Sequence, residues 1–154
     1  NDKQYQMGFY ASDGGADMAP RVIREIVKEH DEPVYAGNKV IVKDGLLEEL
    51  MNYEDAAGNP TENNDGATDT ADSNADIRIP ALTTALSVAI DIDRDATLNL
   101  PGGAMEMGSG YEGIGSGTSG GTAILFEITS KSQGSRNTST NISTQYLYVI
   151  GVGG

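Results

Sequence analysis

The sequence predicts an α+β domain, with helices confined to its N-terminal part and an antiparallel sheet in its C-terminal part. Three observations predict it. Apolar residues recur with a helical period between Met18 and Val27, and they alternate with polar ones between Leu86 and Asp93. Two further apolar runs, Ala123 to Thr129 and Thr144 to Ile150, read as strands beyond a glycine-rich stretch.

In the helical segment Met18, Ala19, Val22, Ile23, Ile26 and Val27 form one stripe, while Arg21, Arg24, Glu25, Lys28 and Glu29 take the other face. Pro20 either sits in the first turn or kinks a longer helix that starts near Asp2 and runs through Tyr5, Phe9 and Tyr10. Gly8, Gly14 and Gly15 weigh against the upstream part, because glycine is a poor helix former. The N-terminal helix is assigned to residues 1–30. His30, the only histidine, falls at its end, where a capping or surface role suits the helix dipole.

Val40-Ile41-Val42 reads as a short strand or an extended connection. Asp44 is the expected N-cap of a second, short helix with Leu46, Leu47, Leu50 and Met51 inward and Glu48 and Glu49 outward. Residues 54–78 read as a long acidic polar loop with almost nothing to bury. The sheet is assigned to residues 81–154. Its first strand, Leu86 to Asp93, is half-buried, with Leu86, Val88, Ile90 and Ile92 opposite Ser87, Ala89, Asp91 and Asp93. A shorter strand follows around Ala96–Leu100. Residues 102–121 hold nine of the 20 glycines and read as a loop. Between the last two strands, Ser130 to Thr140 reads as a polar connection.

The 154 residues carry a formal net charge of −13, and its distribution is uneven. Residues 1–43 are nearly neutral at −1, residues 44–112 carry −13, and residues 113–154 carry +1. No basic cluster exists to neutralise phosphates, which argues against nucleic acid and acidic membrane surfaces as partners. The absence of cysteine closes disulfide, thiol and thiolate-metal chemistry, and a single histidine closes histidine triads and multi-histidine metal sites. No apolar run reaches membrane-spanning length. The chain begins at Asn1 without an initiator Met, so an upstream segment is expected to be missing from it.

Gly117-Thr118-Ser119-Gly120-Gly121 has the letters of a nucleophile elbow, but no histidine follows it and a glycine-rich stretch rather than a strand precedes it. The same stretch lacks the Gly-Lys-Ser/Thr ending of a phosphate loop. Paired carboxylates remain for glycoside hydrolysis, yet the chain has no Trp and few aromatics outside the expected core to stack sugars. The chain is therefore read as non-enzymatic. Residues 61–72 admit two readings, a solvated acidic loop or a calcium loop. With Thr61 as position 1, Asn63, Asp65, Asp69 and Asp72 fall at positions 3, 5, 9 and 12 around Gly66, a spacing that suits a hard cation. Position 1 is not Asp and position 12 is not Glu. Asp91, Asp93 and Asp95 form a second carboxylate row, read as a solvent-facing stripe.

Met7-Gly8-Phe9-Tyr10-Ala11-Ser12-Asp13-Gly14-Gly15-Ala16-Asp17 resembles the stretch just after the membrane helix in PilX-like type IV pilus-assembly proteins. In that family the pattern is Phe-Tyr-Ala-Ala-Glu-Ala-Gly. Phe9, Tyr10, Ala11 and Gly14 or Gly15 match it, and Asp13 stands where Glu is usual. Tyr111-Glu112-Gly113, the strand Ile124 to Ser130, the break Gly134-Ser135-Arg136-Asn137 and the strand Thr144 to Ile150 look like the end of such proteins. The acidic middle has no counterpart, and the paired cysteines and the N-terminal apolar segment common in the family are absent.

The resemblance implies a pilin-like fold and a structural role, as a major or minor subunit of a type IV pilus or related secretion filament. It implies that Tyr5, Phe9 and Tyr10 pack between subunits or against the sheet. The implied partners are other pilin subunits, with the membrane reached only through an upstream helix or a separate chain that supplies one. The implied location is a cell-surface filament, or the inner membrane and periplasm before assembly. The alternative is a calcium-dependent adhesive or binding module, calcium being the one cofactor the sequence offers.

Overall fold

The computed structural model describes residues 2–51, 75–81, 86–99 and 122–150. A long helix α1 (Asp2–Glu29) leads, by way of a short 3-10 turn, to strand β1 (Ile41–Val42) and helix α2 (Leu46–Met51). Strands β2 (Ile77–Ile79), β3 (Ser87–Asn99), β4 (Thr122–Gln133) and β5 (Ser139–Ile150) complete one sheet of order β1-β2-β3-β4-β5, antiparallel throughout. The chain is thus α+β, with α1 laid on a five-stranded sheet.

α1 takes the longer of its two expected forms and passes through Pro20 without ending. An interior proline forfeits one backbone hydrogen bond at a cost of about 3 kcal/mol, so packing must compensate for it. That packing begins at the glycines. A Cβ on Gly15 would overlap Ser130 Oγ and stand 2.8 Å from Val88 Cγ1, and one on Gly8 would stand 2.9 Å from Thr140 Oγ1. Two of the three glycines that weaken the helix locally are the ones that let its backbone reach the sheet. Ser12 lies between them: its hydroxyl donates to the Thr140 carbonyl at 2.9 Å and accepts from the Ser132 N–H at 3.0 Å. Ser132 Oγ in turn donates to the Gly8 carbonyl at 2.8 Å. Further along, Val22, Ile23 and Ile26 are fully buried against Leu46, Leu50, Ile77, Ile90, Ile92, Phe126 and Ile128. His30 adopts a left-handed conformation (φ 56°) and its N–H closes the helix on the Ile26 carbonyl at 2.8 Å.

The sheet departs from the sequence reading in four places. β3 is one strand of 13 residues, not two, because its register with β4 skips Asp95 in a bulge. The alternation visible in the sequence breaks there while the pairing continues. β4 and β5 extend into the span read as a polar connection, leaving only residues 134–138 between them. Ser130 and Ser132 are strand residues, buried because small side chains are needed under α1. The end of the span read as an acidic loop holds buried Ala75, Asp76 and Ile77, the last of them in β2. Finally, Asp91 and Asp93 are buried rather than solvent-facing, since β3 is covered on both faces from Val88 to Asp93.

Candidate functional site

Two features stand out from the fold: the exposed aromatic end of α1 and a buried carboxylate cluster beside α2. The first follows from helix geometry. Gly8, Ser12, Gly15, Ala16 and Ala19 form the inner stripe, so the intervening positions face outward. Tyr5, Phe9 and Tyr10 are 61%, 44% and 70% exposed, and Phe9 and Tyr10 meet edge to face with ring centroids 6.0 Å apart. Large aromatics left open on a helix face are the usual raw material of protein contacts.

The second feature was not legible as such. Glu49, expected to point outward, is 4% exposed and Asp76 is 2% exposed. On α2 the apolar pair Leu46 and Leu50 fixes the centre of the inner face. Leu47 and Glu49 lie about equally far to either side of that centre at 100° per residue. The structure turns Glu49 in and leaves Leu47 half-buried. The N-terminus of α2 is satisfied by Glu32 rather than by Asp44, the Leu47 N–H donating to Glu32 Oε1 at 2.9 Å.

Lys43, at the end of β1, places its Nζ 3.9 Å from Glu49 Oε2 and 3.9 Å from Asp76 Oδ1. Asp76 Oδ2 accepts the Ile92 N–H at 2.7 Å, and its carbonyl accepts the Lys43 N–H at 2.7 Å, so Asp76 ties β1 and β3 together. Glu49 Oε2 makes no hydrogen bond. Burial first, and then the negative charge of Asp76, push the Glu49 carboxyl up to about 8. Lys43 opposes that rise, and Asp93 and Asp91 add to it. Glu49 is therefore mostly protonated at neutral pH. Arg94 lies nearby on β3, its guanidinium donating to the Leu50 carbonyl at 3.1 Å and to Thr97 Oγ1 at 2.8 Å. Burial lowers the affinity of that guanidinium for its proton.

The Lys43 ammonium thus lies between two buried carboxylates from α2 and the start of β2, and links both to the end of β1. Among the described residues no group of three or more His, Cys, Asp or Glu side chains is arranged to hold a metal ion. The calcium candidates Asn63, Asp65, Asp69 and Asp72 lie outside the described residues, as does the glycine-rich segment 102–121. Two clefts bounded by described residues measure about 230 Å³, beside Gly14 and Arg21 of α1, and about 220 Å³, beside Arg78 and Val88. Both fall below the roughly 300 Å³ at which small-molecule pockets begin. No helix among the described residues is long and apolar enough to cross a membrane. No family model, no curated protein and no solved structure matches the chain.

Proposed function

We propose that this chain is a non-enzymatic structural subunit, a major or minor pilin, of a type IV pilus or related secretion filament. The observation that carries the reading is the division of α1 into two faces. From Gly8 onward its inner stripe is bound to the sheet, whereas Tyr5, Phe9 and Tyr10, near its start, are left open on the rest of its surface. A helix with that division can hold a domain on one side and pack against neighbouring helices on the other. In this role the N-terminal end of α1 turns toward the filament axis. The partners are other subunits, and the membrane is reached through a helix upstream of Asn1 or supplied by another chain. The location is the cell surface, or the inner membrane and periplasm before assembly.

The test is incorporation. Sheared surface filaments from the source organism should label with antibody raised against this domain. Phe9→Ala with Tyr10→Ala should reduce labelling while leaving the unfolding free energy of the chain within the scatter usual for surface substitutions, about 0.5 kcal/mol. Filaments that never carry the chain, together with a gene whose upstream sequence encodes neither a leader-cleavage site nor an apolar helix, overturn the reading.

A further inference from the structure

Residues 134–138 join β4 to β5 through a 3-10 turn over Ser135–Asn137. The turn is closed tightly. A Cβ on Gly134 would stand 2.6 Å from Thr138 Oγ1, the Gly134 N–H donates to the Thr138 carbonyl at 2.8 Å, and Thr138 Oγ1 donates to the Ser135 carbonyl at 3.0 Å. Asn137 is thereby set in the left-handed region, φ 57°, which asparagine tolerates better than most residues. The backbone accounts for the residue type but leaves its amide unused. The Asn137 side chain is exposed and makes no hydrogen bond among the described residues.

Asn137-Thr138-Ser139 is one of two Asn-x-Ser/Thr triplets in the chain, the other being Asn141-Ile142-Ser143; the proline of Asn59-Pro60-Thr61 disqualifies a third. Such triplets are common in a chain this rich in serine and threonine, so the fold must choose between them. In the first, Asn137 and Thr138 lie outside the strand ladder, and the Ser139 hydroxyl is exposed and unbonded among the described residues. In the second, Asn141 pairs with Lys131 within the ladder, and the Ser143 hydroxyl shares a 3.2 Å hydrogen bond with the buried Thr129. Presenting Asn141 to an enzyme means peeling β5 from β4, whereas Asn137 is presented as it stands. The turn also lies clear of the aromatic face of α1. Gln4 donates to Ser135 Oγ at 3.4 Å, and Phe9 and Tyr10 lie about 140° and 120° round the helix from Gln4.

We propose that Asn137 is a site of N-linked glycosylation, accepting an oligosaccharide onto the folded β4–β5 hairpin. The donor is an oligosaccharide carried on a lipid phosphate, and the catalyst is a membrane-bound transferase that reads the hydroxyl two residues on, here Ser139. Asn137 Nδ2 forms a bond to the anomeric carbon of the sugar as the bond from that carbon to the phosphate oxygen breaks. The lipid phosphate leaves with the bonding electron pair, and Nδ2 yields one proton to a base of the transferase. The product places hydrated bulk at the start of β5, an edge strand of 12 residues with no charged residue and no proline, the usual means of keeping such an edge from pairing. The proposal rests on export of the chain, which the filament reading includes, and not on the filament itself.

The chain should be isolated with antibody from surface material and from the cell interior of the source organism, and the peptide spanning Asn137 and Asn141 fragmented in a mass spectrometer to locate any added mass. Surface chain should carry an oligosaccharide on Asn137 and none on Asn141. Ser139→Ala, which leaves the asparagine in place, should abolish the added mass; Ser139→Thr should keep it, and Asn141→Gln should not change it. Unmodified chain at the surface, sugar on Asn141 alone, or equal occupancy of the two asparagines, the mark of transfer before folding, overturns the proposal and leaves the filament reading standing. Chain found only in the cell interior overturns both.

Discussion

The Ser12 hydroxyl of α1 bonds to the Ser132 N–H of β4 and to the Thr140 carbonyl of β5, two residues that face each other across the same strand pair. A helix side chain thereby takes part in the hydrogen bonding of the sheet. The contact fixes both the height and the axial position of α1, since Ser132 Oγ holds the Gly8 carbonyl one turn away. Packing alone does not fix a helix so closely, because apolar contacts are non-directional.

Ser12→Ala should therefore destabilise the domain by about 1–3 kcal/mol, the range for leaving buried backbone groups without their partner. Ser130→Ala is the contrasting case. The Ser130 hydroxyl is buried and has no hydrogen-bond partner, so its removal should be neutral or slightly stabilising. Urea unfolding midpoints of the two variants decide it; equal effects would mean that the Ser12 bonds contribute nothing net.

Gly14 and Gly15 are neighbours in one helix with opposite expectations. Nothing lies within 4 Å of a Cβ on Gly14, whereas one on Gly15 would collide with Ser130 Oγ and Val88. Gly14→Ala should stabilise by roughly 0.5–1 kcal/mol through helix propensity. Gly15→Ala should destabilise by about 1–3 kcal/mol through overpacking. Adding Ser130→Ala to Gly15→Ala should recover part of that loss in a double-mutant cycle. Stabilisation by both substitutions would show that helix propensity, not the approach to β4, governs both sites.

Glu49 sets a pH dependence. Its carboxyl is raised from the ordinary 4.5 to about 8 in the folded protein, so the folded state holds a proton that the unfolded chain releases. The stability from this group is fully present below pH 4.5 and is lost as pH rises through about 8. Glu49→Gln carries no such proton. Its urea midpoint should fall less than that of the parent between pH 5 and pH 9, and the variant should be the more stable of the two at the alkaline end. Parallel curves for the two proteins would remove Glu49 as the cause.

The parts of the fold legible in the sequence are those held by apolar periodicity. Val22, Ile23 and Ile26 marked one helix stripe, and Val88, Ile90 and Ile92 marked one strand face; both sets are in the core. The sequence concealed what depends on polar side chains in buried places. Ser130 and Ser132 look like a connection because small polar residues are common in loops, and their burial follows from Gly8, Ser12 and Gly15, more than 100 positions earlier. Glu49, Asp76, Asp91 and Asp93 look like solvent-facing acids until β1 brings Lys43 beside the first two. The exposure of Tyr5, Phe9 and Tyr10 was hidden for the same reason, because the buried stripe beside them is made of Gly8, Ser12 and Gly15, which carry no apolar periodicity.

The bond from Ser12 to Thr140 spans 128 residues. At a synthesis rate of about 5–20 residues per second, those residues take roughly 6–25 s to appear. During that interval α1 has been made while Thr140, the β5 acceptor of its Ser12 hydroxyl, has not. The apolar stripe of α1 can meet β3 and β4 as they are made, but the hydrogen bonds that fix the position of its glycine end are complete only when β5 arrives.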